Sequence, residues 1–228
     1  MANSRSGHCL PPSRKTMVGE WLLPRTGTVE TPLRMAVLIS GSGSGMEVLL
    51  NHQMHETSLH KTVIVICDKP NAAGIEKAEK LGMKVKIIEV PEHSDSQQRR
   101  ELHEEQIQAV LIEYSVEAVI LSGYMRILTG GFVKKWLGRM INIHPSLLPN
   151  YPGAHAHRDA LADGATKSGC TIHFVEIGVD SGPIIAQGEV PVLPGDNEET
   201  LAARVKTIEH ILYPQVLDEL ARGNIKFP

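Results

Sequence analysis

From Met35 onward, short apolar runs alternate with amphipathic ones, and this alternation constrains the fold more than any other feature. MAVLIS, TVIVIC, KVKIIEV, EAVILSG and MINIH each read as a buried strand. Between them, MEVLLNHQ reads as a helix, and AAGIEKAEKLG as a second helix ended by Gly82. Residues 95–115 read as a long amphipathic helix with Leu102, Ile107, Val110 and Leu111 on one side. Continuously apolar strands separated by helices imply a mainly parallel sheet covered on both faces. The expected fold class is therefore α/β and Rossmann-like. The last third departs from that pattern. GCTIHFVEI alternates apolar and polar residues like a half-exposed strand, and IIAQGEVPV follows after the turn VDSGP. Together they predict a short antiparallel extension. A final long helix is expected with Asp196 as N-cap, Glu198 and Glu199 in its first turn, Gly223 at its end, and Pro214 bending or breaking it.

The totals exclude several classes. A chain of 228 residues with a formal charge of -3 suits one α/β domain and lacks the basic excess of a nucleic-acid binder. No apolar run is long enough to span a membrane. Cys9, Cys67 and Cys170 are odd in number and scattered, which fits a reducing compartment, without a disulfide framework or a zinc site. Residues 1–34 differ from the rest: the opening MANSRSGHCLPPSRKTM has no acid and carries a Pro-Pro pair. They read as a disordered leader, or as an early start with Met17 and Met35 as alternatives. Residues 35–228 read as a single catalytic domain. The expected location is cytoplasmic, with organellar import by an acid-poor leader as the alternative.

Three stretches carry candidate chemistry. In LISGSGSGMEV, a strand, a glycine turn (Gly41, Gly43, Gly45) and a helix start form an anion site from backbone N–H groups and the helix dipole. The spacing is neither a dinucleotide fingerprint nor a Walker loop. Asp68, ending the second strand, stands where a ribose-binding acid would, so a dinucleotide enzyme is a rival. In MINIHPSLLPNYPG, Asn142 and His144 are two apart on a strand, hence on one face, before three prolines. An amide and an imidazole there suit a developing oxyanion, or a capping Asn beside a core His. In VDSGPI, Asp180 is a turn residue or a carboxylate that favours the charged form of His144. His155 and His157 with His144 and His173 raise a metal reading, but no Cys pair or HExxH spacing supports it, and a metal-free site is expected.

Taken together, LISGSGSG, GYMRIL, INIHPSLLPNYPGAHAHRDAL, GCTIHFVEIGVDSGPII and ARVKTIEHILYP resemble the glycinamide ribonucleotide branch of the folate-dependent formyltransferase family, from about Met35 to Tyr213. The resemblance implies transfer of a formyl group from 10-formyltetrahydrofolate, as cosubstrate, to the amine of glycinamide ribonucleotide in purine synthesis, without a metal. It implies a catalytic set of Asn142, His144 and Asp180. Gly43, Ser44, Gly45 and Lys206 would hold the ribonucleotide phosphate, and Glu209 would meet its amine. Arg100, Met125, Arg126, Ile127 and Leu128, with Asn142, would border the folate, and Glu176 to Asp180 its other wall. The Leu148–Pro149 bond is expected to be cis. Two positions depart from the family pattern: Gly45 where Asn is common, and Asn150 where a basic residue is usual. Both bear on affinity more than on reaction type. The expected partners are small molecules only, and the assembly a monomer or homodimer. A formyltetrahydrofolate deformylase, with water as acceptor, is the close alternative, and a non-catalytic nucleotide-binding module the distant one.

Overall fold

The computed structural model describes residues 21–226. Seven strands form one sheet: β1 (Leu33–Ile39), β2 (His60–Cys67), β3 (Val85–Ile87), β4 (Ala118–Leu121), β5 (Met140–His144), β6 (Lys167–Phe174) and β7 (Ile184–Pro191). Their order across the sheet is β3-β2-β1-β4-β5-β6-β7. The first five are parallel, and β6 and β7 extend the sheet antiparallel. Six helices cover it: α1 (Ser44–His52), α2 (Ala73–Lys80), α3 (Ser96–Glu113), α4 (Gly130–Lys135), α5 (Ala156–Ala162) and α6 (Glu198–Arg222). The short α4 and α5 carry too few turns for a periodic signature in the sequence.

The apolar run of β1 divides by parity, as a pleated strand buried on both faces must. Leu33, Met35, Val37 and Ile39 pack with Met46 and Leu49 of α1 and Leu217 and Leu220 of α6. Ala36 and Leu38 face the other way, toward Ile107 and Leu111 of α3 and Phe132 of α4. No helix among the described residues is long and apolar enough to cross a membrane.

Several expectations are corrected. Residues 21–34 are packed, so disorder does not extend to residue 34: the Trp21 ring meets Phe174 edge-on, and Gly27 N–H donates to the Ala221 carbonyl. Arg25 grips Glu117 with two nitrogens, and β1 begins at Leu33. Residues 1–20, with the rest of the expected leader, lie outside the described residues. On α3, Leu102 is exposed, whereas His103 and Glu104 are buried. Both have partners that reward burial: His103 Nε2–H donates to the Ile88 carbonyl, and Glu104 accepts from Thr129. β6 is buried at all but its first residue. Thr171 shows why a polar side chain is buried there: its Oγ1 donates to the Ser146 carbonyl and accepts from Leu148 N–H.

The N-cap of α6 is Asn197, in a reciprocal capping box with Thr200. Asp196 instead makes a two-pronged pair with Arg204, which holds its carboxyl well below the usual carboxylate range. The helix runs through Pro214 without a break. One turn of it is tied to the sheet there, because the buried Tyr213 hydroxyl donates between the Leu121 and Ile141 carbonyls. Gly223 closes it in a left-handed conformation, as expected.

Candidate active site

The carboxyl ends of β1, β4 and β5 open into one cavity of about 830 Å³, where an open α/β sheet places its ligands. Three walls of different construction enclose it.

The first wall is backbone. The chain leaves β1 and enters α1 through Gly43, whose φ of 63° is left-handed. A Cβ at Gly43 would also lie 2.8 Å from the Gly74 Cα at the start of α2. Only glycine satisfies both conditions. The Gly74 N–H donates to the Gly41 carbonyl at 3.0 Å, so α2 buttresses the loop. The first turn of α1 then presents N–H groups without intrahelical acceptors to the cavity, beside Gly43, Ser44 and Gly45.

The second wall is a cluster of side chains on β5, β6 and the turn after it. Asn142 and His144 both line the cavity. Asp180 has a φ of 50°, a conformation Asp tolerates better than most residues. Its Oδ2 accepts from Gly153 N–H at 2.8 Å and lies 3.3 Å from His144 Nδ1. Its Oδ1 lies 3.7 Å from His173 Nε2. His173 has a specific place here other than metal ligation. Its Nδ1–H donates to the Phe174 carbonyl, so Nε2 presents a lone pair that accepts from the Asn142 amide at 3.2 Å. That fixes which way the Asn142 amide faces and leaves its second N–H unused by this contact. Burial pushes the His173 imidazole below the ordinary histidine range, which maintains the neutral form this contact requires. The signal for His173 lay in the alternation of β6, where its parity matches Thr171.

His144 Nε2–H donates to the Tyr151 carbonyl at 2.9 Å. Both ring nitrogens thus face acceptors, an arrangement that an imidazolium fills with two donors. The loop supplying that carbonyl carries the cis Leu148–Pro149 bond and a left-handed Tyr151, and the Ser146 hydroxyl donates to the Asn150 carbonyl within it.

The third wall comes from α6 and the segment after β4. Lys206, Glu209 and His210 of α6 line the cavity. Burial raises the Glu209 carboxyl above its ordinary value, with Lys206 partly opposing. Met125, Arg126, Ile127 and Leu128 border both this cavity and an adjoining one of about 240 Å³, which Arg100 also lines. Arg100 therefore stands beside this segment rather than in the main cavity. The segment is braced from behind. Met125 N–H donates to Ser40 Oγ, Arg126 Nε pairs with Asp68 Oδ2 at 2.5 Å, and Thr129 donates to Glu104 from both its N–H and its hydroxyl. Asp68 is buried under Arg126 and does not line the cavity, which removes the ribose-binding role on which the dinucleotide rival depended. Met125, Ile127, Ile177 and Val179 are exposed around the mouth, an apolar rim suited to a flat ring system.

The metal reading finds its densest cluster elsewhere. Among the described residues, His52, His60 and Asp218 bring three ligand-type atoms together. Their hydrogen bonds already fix the His60 tautomer. Gln53 Oε1 accepts from Thr62 N–H, so its amide nitrogen donates to His60 Nδ1, and His60 Nε2–H donates to Asp218. A metal at Nε2 would have to displace that proton and reverse the amide. The group is a hydrogen-bonded network closing the far end of α6.

Comparison with known proteins follows the same geometry. Residues 33–217 match the formyl transferase family. The chain is 46% identical over 193 residues to the trifunctional purine biosynthetic protein adenosine-3 of Bos taurus, covering 85% of this chain and 19% of that protein. It thus spans about a fifth of the length of that relative. It is 38% identical over 194 residues to the phosphoribosylglycinamide formyltransferase of Escherichia coli (strain K12), covering 85% and 90% of the two chains. The crystal structure of the phosphoribosylglycinamide formyltransferase from Brucella melitensis superimposes with a TM-score of 0.78 at 42% identity, covering 86% of this chain and all of that one.

Proposed function

The chain belongs to the formyl transferase family, and on that premise we propose that it transfers the formyl group of 10-formyltetrahydrofolate to the amine of glycinamide ribonucleotide, in the cytoplasm. The observation that carries this reading is the meeting of three unlike walls in one cavity. The glycine loop suits a phosphate, the segment Met125 to Leu128 and its rim suit a pterin, and Asn142, His144 and Asp180 line the same cavity.

The amine nitrogen attacks the formyl carbon, and the carbonyl π pair moves onto oxygen. Asn142 supplies the N–H that His173 leaves unused, aimed at that oxyanion. His144 is the second donor once Nε2–H exchanges the Tyr151 carbonyl for the substrate oxygen. Catalytic hydrogen bonds often reach their working alignment only in the reacting complex. Asp180 holds the imidazole from Nδ1 and balances its charge. Collapse of the intermediate breaks the bond from carbon to N10, which gains a proton as the amine loses one. Glu209, made more basic by burial, is suited to the amine side of that exchange, and Lys206 to the phosphate. Arg100 borders the outer pocket and suits the carboxylates of the folate tail.

Incubating the protein with 10-formyltetrahydrofolate, with and without glycinamide ribonucleotide, tests the reading. Formyl transfer that depends on the ribonucleotide is expected. Folate release at the same rate without it would identify a deformylase, and no turnover would leave a binding module.

A further inference from the structure

Gly45 and Ser122 are interlocked across the cavity floor. A Cβ built on Gly45 would lie 2.7 Å from Ser122 Oγ, with no other atom from outside its own helix turn within 4 Å. The hydroxyl of Ser122, at the end of β4, therefore fills the space that a side chain at position 45 would enter. Ser122 is only 8% exposed, lines the cavity, and its hydroxyl has no hydrogen-bond partner among the described residues. Its backbone is pinned, because Ser122 N–H donates to the Leu38 carbonyl at 3.0 Å. A hydroxyl that faces the cavity with no protein partner has its donor free for a ligand.

The neighbouring groups identify that partner's chemistry. Position 45 belongs to the first turn of α1, whose N-cap Gly43 provides no side-chain hydrogen bond to the unpaired N–H groups. These donors and the helix dipole favour an anion, and Lys206 borders the same cavity. We propose that Ser122 is a ligand-binding residue, its hydroxyl donating to a phosphate monoester seated on the first turn of α1, and that Gly45 is glycine so that this hydroxyl can reach it. The proposal rests on the glycinamide ribonucleotide reading for the identity of the phosphate ester.

A double-mutant cycle tests it, with steady-state kinetics, thermal unfolding, and calorimetric titration of glycinamide ribonucleotide into each protein. Ser122→Ala is expected to raise the KM and Kd for the ribonucleotide about tenfold, the size of one hydrogen bond to a charged group, with the folate KM unchanged. Gly45→Asn alone is expected to weaken ribonucleotide binding, because its Cβ displaces the hydroxyl. In the Ser122→Ala background the same Asn meets no Oγ and restores binding toward the parent value, a strongly non-additive result. Unchanged ribonucleotide affinity in a folded Ser122→Ala protein, or additive effects in the cycle, would overturn the proposal. Failure of the parent protein to bind or turn over the ribonucleotide would instead overturn the functional reading.

Discussion

Two walls of the cavity are built differently. The glycine loop is assembled from backbone: Gly43 is held by its own left-handed φ and by contact with Gly74, and Gly74 N–H is bonded to Gly41. Nothing there rearranges without moving α1 against α2. The wall formed by β5 and β6 is assembled from side chains. Asp180 joins His144, His173 and Gly153, and His144 Nε2 is engaged by a loop carbonyl. A phosphate has the same charge throughout the reaction, so a rigid backbone cradle suits it. An oxyanion exists only transiently, so its donors have to be oriented, charged and exchangeable.

The contrast predicts that substitutions at the side-chain wall fail in catalysis and those at the backbone wall fail in stability. The largest effect is expected for Asp180→Asn. It keeps size, removes the charge opposite His144, and should lower kcat by on the order of a thousandfold with little change in either KM. A kcat near the parent value would reduce Asp180 to a turn residue. Next is the segment that braces β6 from outside. A protein lacking residues 1–34 loses Leu33 from β1 and the Trp21 contact with Phe174, and should be about 3 kcal/mol less stable than one lacking residues 1–20. Equal denaturation midpoints would show that residues 21–34 contribute nothing.

Gly43→Ala probes the backbone wall. The left-handed φ and the 2.8 Å approach to Gly74 should together cost about 2 kcal/mol of stability, seen as a lower urea midpoint, along with weaker ribonucleotide binding. A KM effect with unchanged stability would mean that the loop is more pliant than its contacts imply.

The smallest effect is the pH dependence of stability. Burial depresses both His60 and His173, so each takes up a proton more readily in the unfolded chain. The unfolded state then binds more protons, and stability is complete above the ordinary histidine value of about 6.5 and declines as pH falls below it. Thermal unfolding between pH 8 and 5 should show stability falling toward the acid side, and His60→Gln should flatten the slope. An unchanged slope in that variant would assign the dependence to other groups.

Much of this was legible in residue order. The parity of β1, the continuous apolar runs of β2 and β4, and the Gly43 turn follow from local periodicity and backbone sterics. The cavity also gathers Gly43, Ser44, Gly45, Met125, Asn142, His144, Asp180, Lys206 and Glu209, which the sequence connects through family resemblance alone. The misreadings share a cause. GCTIHFVEI alternates as a half-exposed strand does, yet its polar residues are spent on the 144–151 loop and on Asn142. Likewise Asp196 carries a cap-type side chain but pairs with Arg204, and Glu104 looks like a solvent residue but holds Thr129.

Sequence by itself determined the types of the longer elements, the parallel core and the chemical kinds of group available, because these depend on neighbours within a few residues along the chain. Only the tertiary structure decided what each polar group faces. His173 and Asn142 are 31 residues apart, Glu104 and Thr129 are 25 apart, and Tyr213 and Leu121 are 92 apart. A buried donor takes whichever acceptor the packing of the sheet brings within reach, and no local pattern records that distance.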